Sequence, residues 1–124
     1  MASLAQLIEN IRTTGEDWAR KRRELAALQN RRKALHIALR DRAIRAAAAR
    51  GEKLSLTAAA EDARAHPEYI ACLDEIALKQ FEVDLAEVAY VSARAVFQAA
   101  IAALDEAGAV FEDADSLGAG RSAA

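Results

Sequence analysis

His36, His66 and Cys72 are the side chains of this sequence best suited to ligate a transition metal or to support a nucleophile. Their spacings match no zinc pattern, and one Cys with two His falls short of the four ligands a closed structural site takes. A Cys–His nucleophile needs a further group to orient the base, and nothing in the sequence supplies one. Carboxylate pairs such as Asp74 and Glu75 fall on a helical stretch, where they read as solvated charges. The run GEKLS at 51–55 lacks the spacing of a phosphate-cradling loop. No catalytic constellation, cofactor site, metal site or small-molecule substrate is indicated, so the sequence predicts a protein that is not an enzyme.

The chemistry it does carry is guanidinium. The stretch Arg20–Arg45, RKRRELAALQNRRKALHIALRDRAIR, holds eight Arg and two Lys against two acids, Glu24 and Asp41. Residues 1–53 carry 13 Lys/Arg and 6 Asp/Glu, whereas residues 54–124 carry 4 and 13, so a net charge of −2 hides a basic first half and an acidic second half. Two readings follow. In the first, the basic residues flank a helical seam and meet Asp74, Glu75, Glu82, Asp84 and Glu87 of a partner helix. Arg32 falls on the seam itself, where an unpaired charge is expensive, and Glu87 or Asp84 is its expected carboxylate. In the second, guanidinium groups pair with phosphate through two parallel donors. Arg20, Arg31 and Arg42 recur every eleven residues along one flank, while Arg23 and Arg45 point away from the seam. These five are the candidate contacts to DNA, sequence-independent and salt-sensitive, or to an acidic partner protein. Aromatic residues do not interleave with them; Trp18 alone is near, so there is no stacking platform for single strands.

The elements that must position these side chains are helical by period. Leu4, Ile11, Trp18, Leu25, Arg32, Leu39 and Ala46 fall at intervals of seven, as do Tyr69, Ile76, Val83, Tyr90, Phe97 and Leu104. Ser3 suits a helix start and Gly51 a helix end. Gly15 is the weak spot, where a kink or break is expected if anywhere. Ser55 or Thr57 can cap a short connecting helix, with Leu54 and Leu56 plugging the end of the bundle, and Pro67 suits a first helical turn. The spacing therefore predicts an all-α protein: a long antiparallel helical hairpin over residues 1–108, with helices over about 3–49, 58–65 and 67–107. Residues 109–124 are expected to form a flexible acidic and Gly/Ser-containing tail. Apolar residues remain on a second face, including Phe81, Val88 and Val91 on the last helix and Ile37 and Ile44 on the first. They predict a homodimer, assembled as a four-helix bundle.

The single cysteine allows no intrachain disulfide and fits a reducing cytoplasm. No unbroken apolar run approaches the roughly 20 residues that span a bilayer, so no membrane is expected. The N-terminus lacks the pattern of a signal peptide.

Three short stretches carry a resemblance: Lys53-Leu54-Ser55-Leu56-Thr57, Pro67-Glu68-Tyr69 and Val83-Asp84-Leu85. With them, Gly51–Leu104 resembles small helical proteins of tailed-bacteriophage and prophage early regions. In those, a basic first helix leads to a Lys-Leu-Thr segment, a Pro-x-Tyr turn and a long second helix. Here a Ser and a Leu stand between Leu54 and Thr57. The genes of that family lie beside single-strand annealing recombinases and single-strand binding proteins. The resemblance implies a helical accessory to DNA recombination or replication, and it carries over no catalytic residue. The alternative is a protein-interaction module, such as an inhibitor of a host protein, without nucleic-acid affinity.

Overall fold

The computed structural model describes residues 2–123, with side chains for residues 2–108. The expected tail, 109–124, lies outside the residues whose side chains are described. The chain folds as three α-helices: α1 (Leu4–Ala49), α2 (Leu56–Ala65) and α3 (Pro67–Ala123), with no strand among the described residues.

Local chemistry sets the helix ends. At the start of α1, Ser3 Oγ accepts from Gln6 N–H at 3.1 Å and Gln6 Oε1 accepts from Ser3 N–H at 2.7 Å. This reciprocal capping box satisfies two donors that the first turn leaves without helical partners. α1 ends in a Schellman arrangement: Glu52 N–H donates to Ala47 C=O at 2.9 Å and Gly51 N–H to Ala48 C=O at 3.0 Å. Gly51 lies at φ +75°, the left-handed region in which a Cβ is strained. Gly51→Ala is therefore expected to lower stability by about 1 kcal/mol, read as a drop in thermal midpoint. Ser55 caps α2 by accepting from Ala58 N–H at 3.1 Å. His66 Nδ1 accepts from Glu68 N–H at 3.1 Å, so the imidazole caps α3, and Pro67 opens the helix where its missing N–H has no role.

The chain forms two compact units, one of Asp17–Ala86 and one of Met1–Glu16 with Glu87–Ala124. In the first, Leu25, Leu39 and Ala47 of α1 are buried together with Ala59 and Ala63 of α2 and Tyr69, Cys72, Val83 and Ala86 of α3. Leu39, Ala63 and Tyr69 form one cluster, against which Leu35 packs. Alanine at 63 lets α2 lie close along the last turns of α1. Leu56, expected as a plug, is 65% exposed instead, because α2 turns Ala59 and Ala63 inward. In the second unit, Ala93 is buried, and a Cβ placed on Gly15 would lie 3.2 Å from Tyr90 Cε2. α1 runs unbroken through Gly15, whose missing side chain makes room for the tyrosine ring. The neighbouring threonine hydroxyls donate back to carbonyls within the helix, Thr13 to Glu9 at 3.1 Å and Thr14 to Asn10 at 2.6 Å.

Candidate nucleic-acid interface

Within the unit Asp17–Ala86, two ion pairs join α1 to α3. Arg31 Nη2 lies 2.7 Å from Glu75 Oε2, and Lys79 Nζ lies 2.8 Å from Glu24 Oε2. Lys79 also reaches Glu82 Oε2 at 2.7 Å on its own helix. The second of these pairs inverts the expected polarity: the base is on the acidic helix and the acid on the basic one. The hydrogen bond that Arg31 donates to Glu75 raises the Arg31 pKa, and the one that Lys79 donates to Glu24 lowers that of Glu24. A carboxylate with a lowered folded-state pKa stabilises the fold above its unfolded value, and that contribution disappears as pH falls through the folded value. Glu24 is exposed and Lys79 only partly buried, so the effect is modest and screened by salt. Glu24→Gln is expected to melt below the parent at pH 7. The gap should close at acid pH, below the ordinary Glu value of 4.5, as followed by circular dichroism.

The remaining basic residues of α1 are distributed unevenly. Arg20 and Lys21 share Asp17 of their own helix, with Lys21 Nζ at 3.4 Å from Asp17 Oδ2. Arg40 touches Asp41 at 3.4 Å, and the Arg22 guanidinium lies over the Trp18 ring at 4.1 Å from its centroid. Arg23, Lys33, Arg42 and Arg45 are exposed and form no ion pair among the described residues. Of the ten basic residues in Arg20–Arg45, Arg31 alone has an ion-pair partner on α3 among the described residues. At 3.6 residues per turn, Arg20, Arg23, Arg31, Arg42 and Arg45 fall within a sector of α1 about 100° wide. Three of the five, Arg23, Arg42 and Arg45, form no ion pair among the described residues that would compete with a phosphate.

The pairing expected for Arg32 does not form. Arg32 has no ion pair among the described residues, and its Nε is buried without a hydrogen-bond partner. Asp84 instead accepts from Gln80 Nε2 at 3.0 Å on its own helix, and Glu87 is exposed. The reason is register. Because α2 occupies the last turns of α1, α3 begins level with His36, whose ring centroid lies 5.7 Å from that of Tyr69. The contacts of Arg31 with Glu75 and of Glu24 with Lys79 continue the same offset. It carries Asp84 past Arg32 to the level of about Arg20 to Arg22. A buried donor left without a partner costs about 1–3 kcal/mol, so Arg32 marks a place where the fold carries an unmet polar group.

The residues expected at a dimer interface are largely uncovered: Phe81 is 59% exposed, Val88 62%, Val91 55% and Ile37 50%, while Ile44 is half-buried. Leu85, at 55%, extends the same outer stripe of α3. By length and composition, the Pro67–Gly108 portion of α3 is apolar enough to cross a membrane, with a mean hydropathy of 1.3 over its most apolar window. The sequence contains no unbroken apolar run of that length, because scattered charges interrupt it; over a whole window, Ala, Val and Leu outweigh them. Compared with protein-family models, curated proteins and solved structures, the chain matches none.

Proposed function

We propose that this chain is a non-enzymatic accessory protein of DNA recombination or replication, phage-like in kind and cytoplasmic. α1 and α3 form an antiparallel hairpin joined through α2, two copies associate through the outer face of α3, and the basic sector of α1 lies along phosphate backbones without reading sequence. Support for the hairpin comes from the order of the ion pairs: from Arg31 back to Glu24 on α1, the partners advance from Glu75 to Lys79 on α3. The observation that carries the DNA reading is the set of Arg23, Arg42 and Arg45, exposed on one sector and unpaired among the described residues. Had α3 neutralised the basic helix, no such set would remain. The resemblance over Gly51–Leu104 supports the place beside recombination genes. The test is a mobility shift of duplex DNA at about 50 and about 200 mM salt: a shift that fades at the higher salt is expected, and none at the lower overturns the reading.

A second reading has its own observation in its favour. The outer stripe of α3, with Phe81, Leu85 and Val88 uncovered, suits a module that binds another protein and no nucleic acid. A chain that shifts no DNA and is monomeric alone would favour it.

A further inference from the structure

The other flank of α1 holds a second cationic feature, away from the sector of Arg23 and Arg45. Arg32, Lys33, His36 and Ile37 line an open groove together with Arg64 of α2 and Tyr69 of α3, with a volume of about 450 Å³. That lies within the range of small-ligand sites, about 300–1,000 Å³. We propose that this groove binds a phosphomonoester attached to a nucleoside, either a free nucleoside monophosphate or the 5′-phosphorylated end of a nucleic acid.

Three observations point to this chemistry. The lining contains two arginines, a lysine and a histidine, and no carboxylate, whereas the groove on the opposite flank is lined by Glu24 and Glu75 beside Arg31 and Lys79. Next, Arg32 Nε and His36 Nε2 are buried with no hydrogen-bond partner among the described residues. Both nitrogens can carry a hydrogen; they are closed off as they stand, so a phosphate oxygen becomes their acceptor once the two side chains turn into the groove. A dianionic phosphomonoester offers three terminal oxygens, enough to engage Arg32, His36 and Arg64 together; a carboxylate offers two. Finally, the apolar wall of the groove is made by Tyr69, largely buried and tilted by 57° to the His36 ring, and by Ile37, half-exposed. Such a wall suits a flat base rather than a second anion.

The proposal goes beyond the DNA reading above and can fail separately from it. The full chain is titrated with AMP, inorganic phosphate, adenosine, and one oligonucleotide in 5′-phosphorylated and 5′-hydroxyl forms. Binding is read by calorimetry and by the ring signals of His36 and Tyr69. With two histidines and two tyrosines in the sequence, these signals are assigned by His36→Gln and Tyr69→Phe. AMP is expected to shift both rings, inorganic phosphate to bind more weakly and adenosine not to bind. Arg32→Met and the exposed-site change Arg64→Ala should each weaken AMP at least about tenfold with helicity unchanged. A preference for the 5′-phosphorylated oligonucleotide over AMP assigns the groove to nucleic-acid ends, and the reverse to a free nucleotide; either supports the site. Unmoved His36 and Tyr69 signals at about 10 mM AMP, or AMP binding untouched by Arg64→Ala, overturn it. If DNA binding depends on Arg23, Arg42 and Arg45 but neither AMP nor the 5′-phosphate of the oligonucleotide is bound, the groove fails while the DNA reading stands.

Discussion

The triple variant Arg23→Glu, Arg42→Glu and Arg45→Glu is expected to lose about 100-fold or more in affinity for duplex DNA at low salt. Each reversal would remove one proposed phosphate contact and place a like charge beside the backbone. The expected loss should not arise from unfolding. The three side chains are exposed and have no ion pair among the described residues to break, so each substitution should stay within about 0.5 kcal/mol of neutral. Arg12→Gln supplies the contrast. Arg12 is held by both Glu9 and Glu16 on its own helix, so its charge is already answered. Its removal should change affinity by less than about threefold. Equal losses in the two variants would mean that net charge alone governs binding and that the outward sector has no special role.

Phe81→Asp combined with Val88→Asp is expected to dissociate the proposed homodimer, raising its dissociation constant by at least two orders of magnitude. Phe81, Leu85 and Val88 succeed one another at four and three residues, which stacks them on one face of α3. Covering an apolar side chain of this size contributes about 1.5–3 kcal/mol, and an aspartate in its place would leave a charge without water or partner. Because both positions are exposed within the chain, the substitutions should leave its helicity intact, and sedimentation equilibrium isolates their effect on association. The apolar length of α3 makes the control specific. If the parent chain is monomeric at micromolar concentration and floats with phosphatidylcholine vesicles, the stripe faces lipid and the dimer is rejected.

Much of the helical framework was readable because it rests on local chemistry. Ser3 and Ser55 cap helices through their own hydroxyls, Gly51 takes the left-handed conformation that ends α1, and Pro67 opens α3. None of these depends on a distant residue. Register does, and there the sequence misled. A symmetric connection sets Arg32 against Asp84 or Glu87, but α2 packs Ala63 against Leu39 and Tyr69, which shifts α3 along α1. The volume of an alanine decides how closely α2 can lie, and heptad spacing does not encode it. Lys79 was missed for a related reason: one base among many acids reads as a solvated charge until Glu24 is found 2.8 Å away. Arg64 gave no signal either, since only the fold brings it to the groove that holds Arg32, Lys33 and His36. The outward position of Arg23 and Arg45 needed helical period alone, so this part of the candidate interface was legible from the sequence.

The central claim is that the basic sector of α1 is open to phosphates, and the salt dependence of the unaltered chain on duplex DNA tests it most directly. With about three to five phosphates contacted, the logarithm of the association constant should fall against the logarithm of salt concentration with a slope of about −3 to −5. A slope near zero, or no measurable binding at about 50 mM salt, would contradict the account.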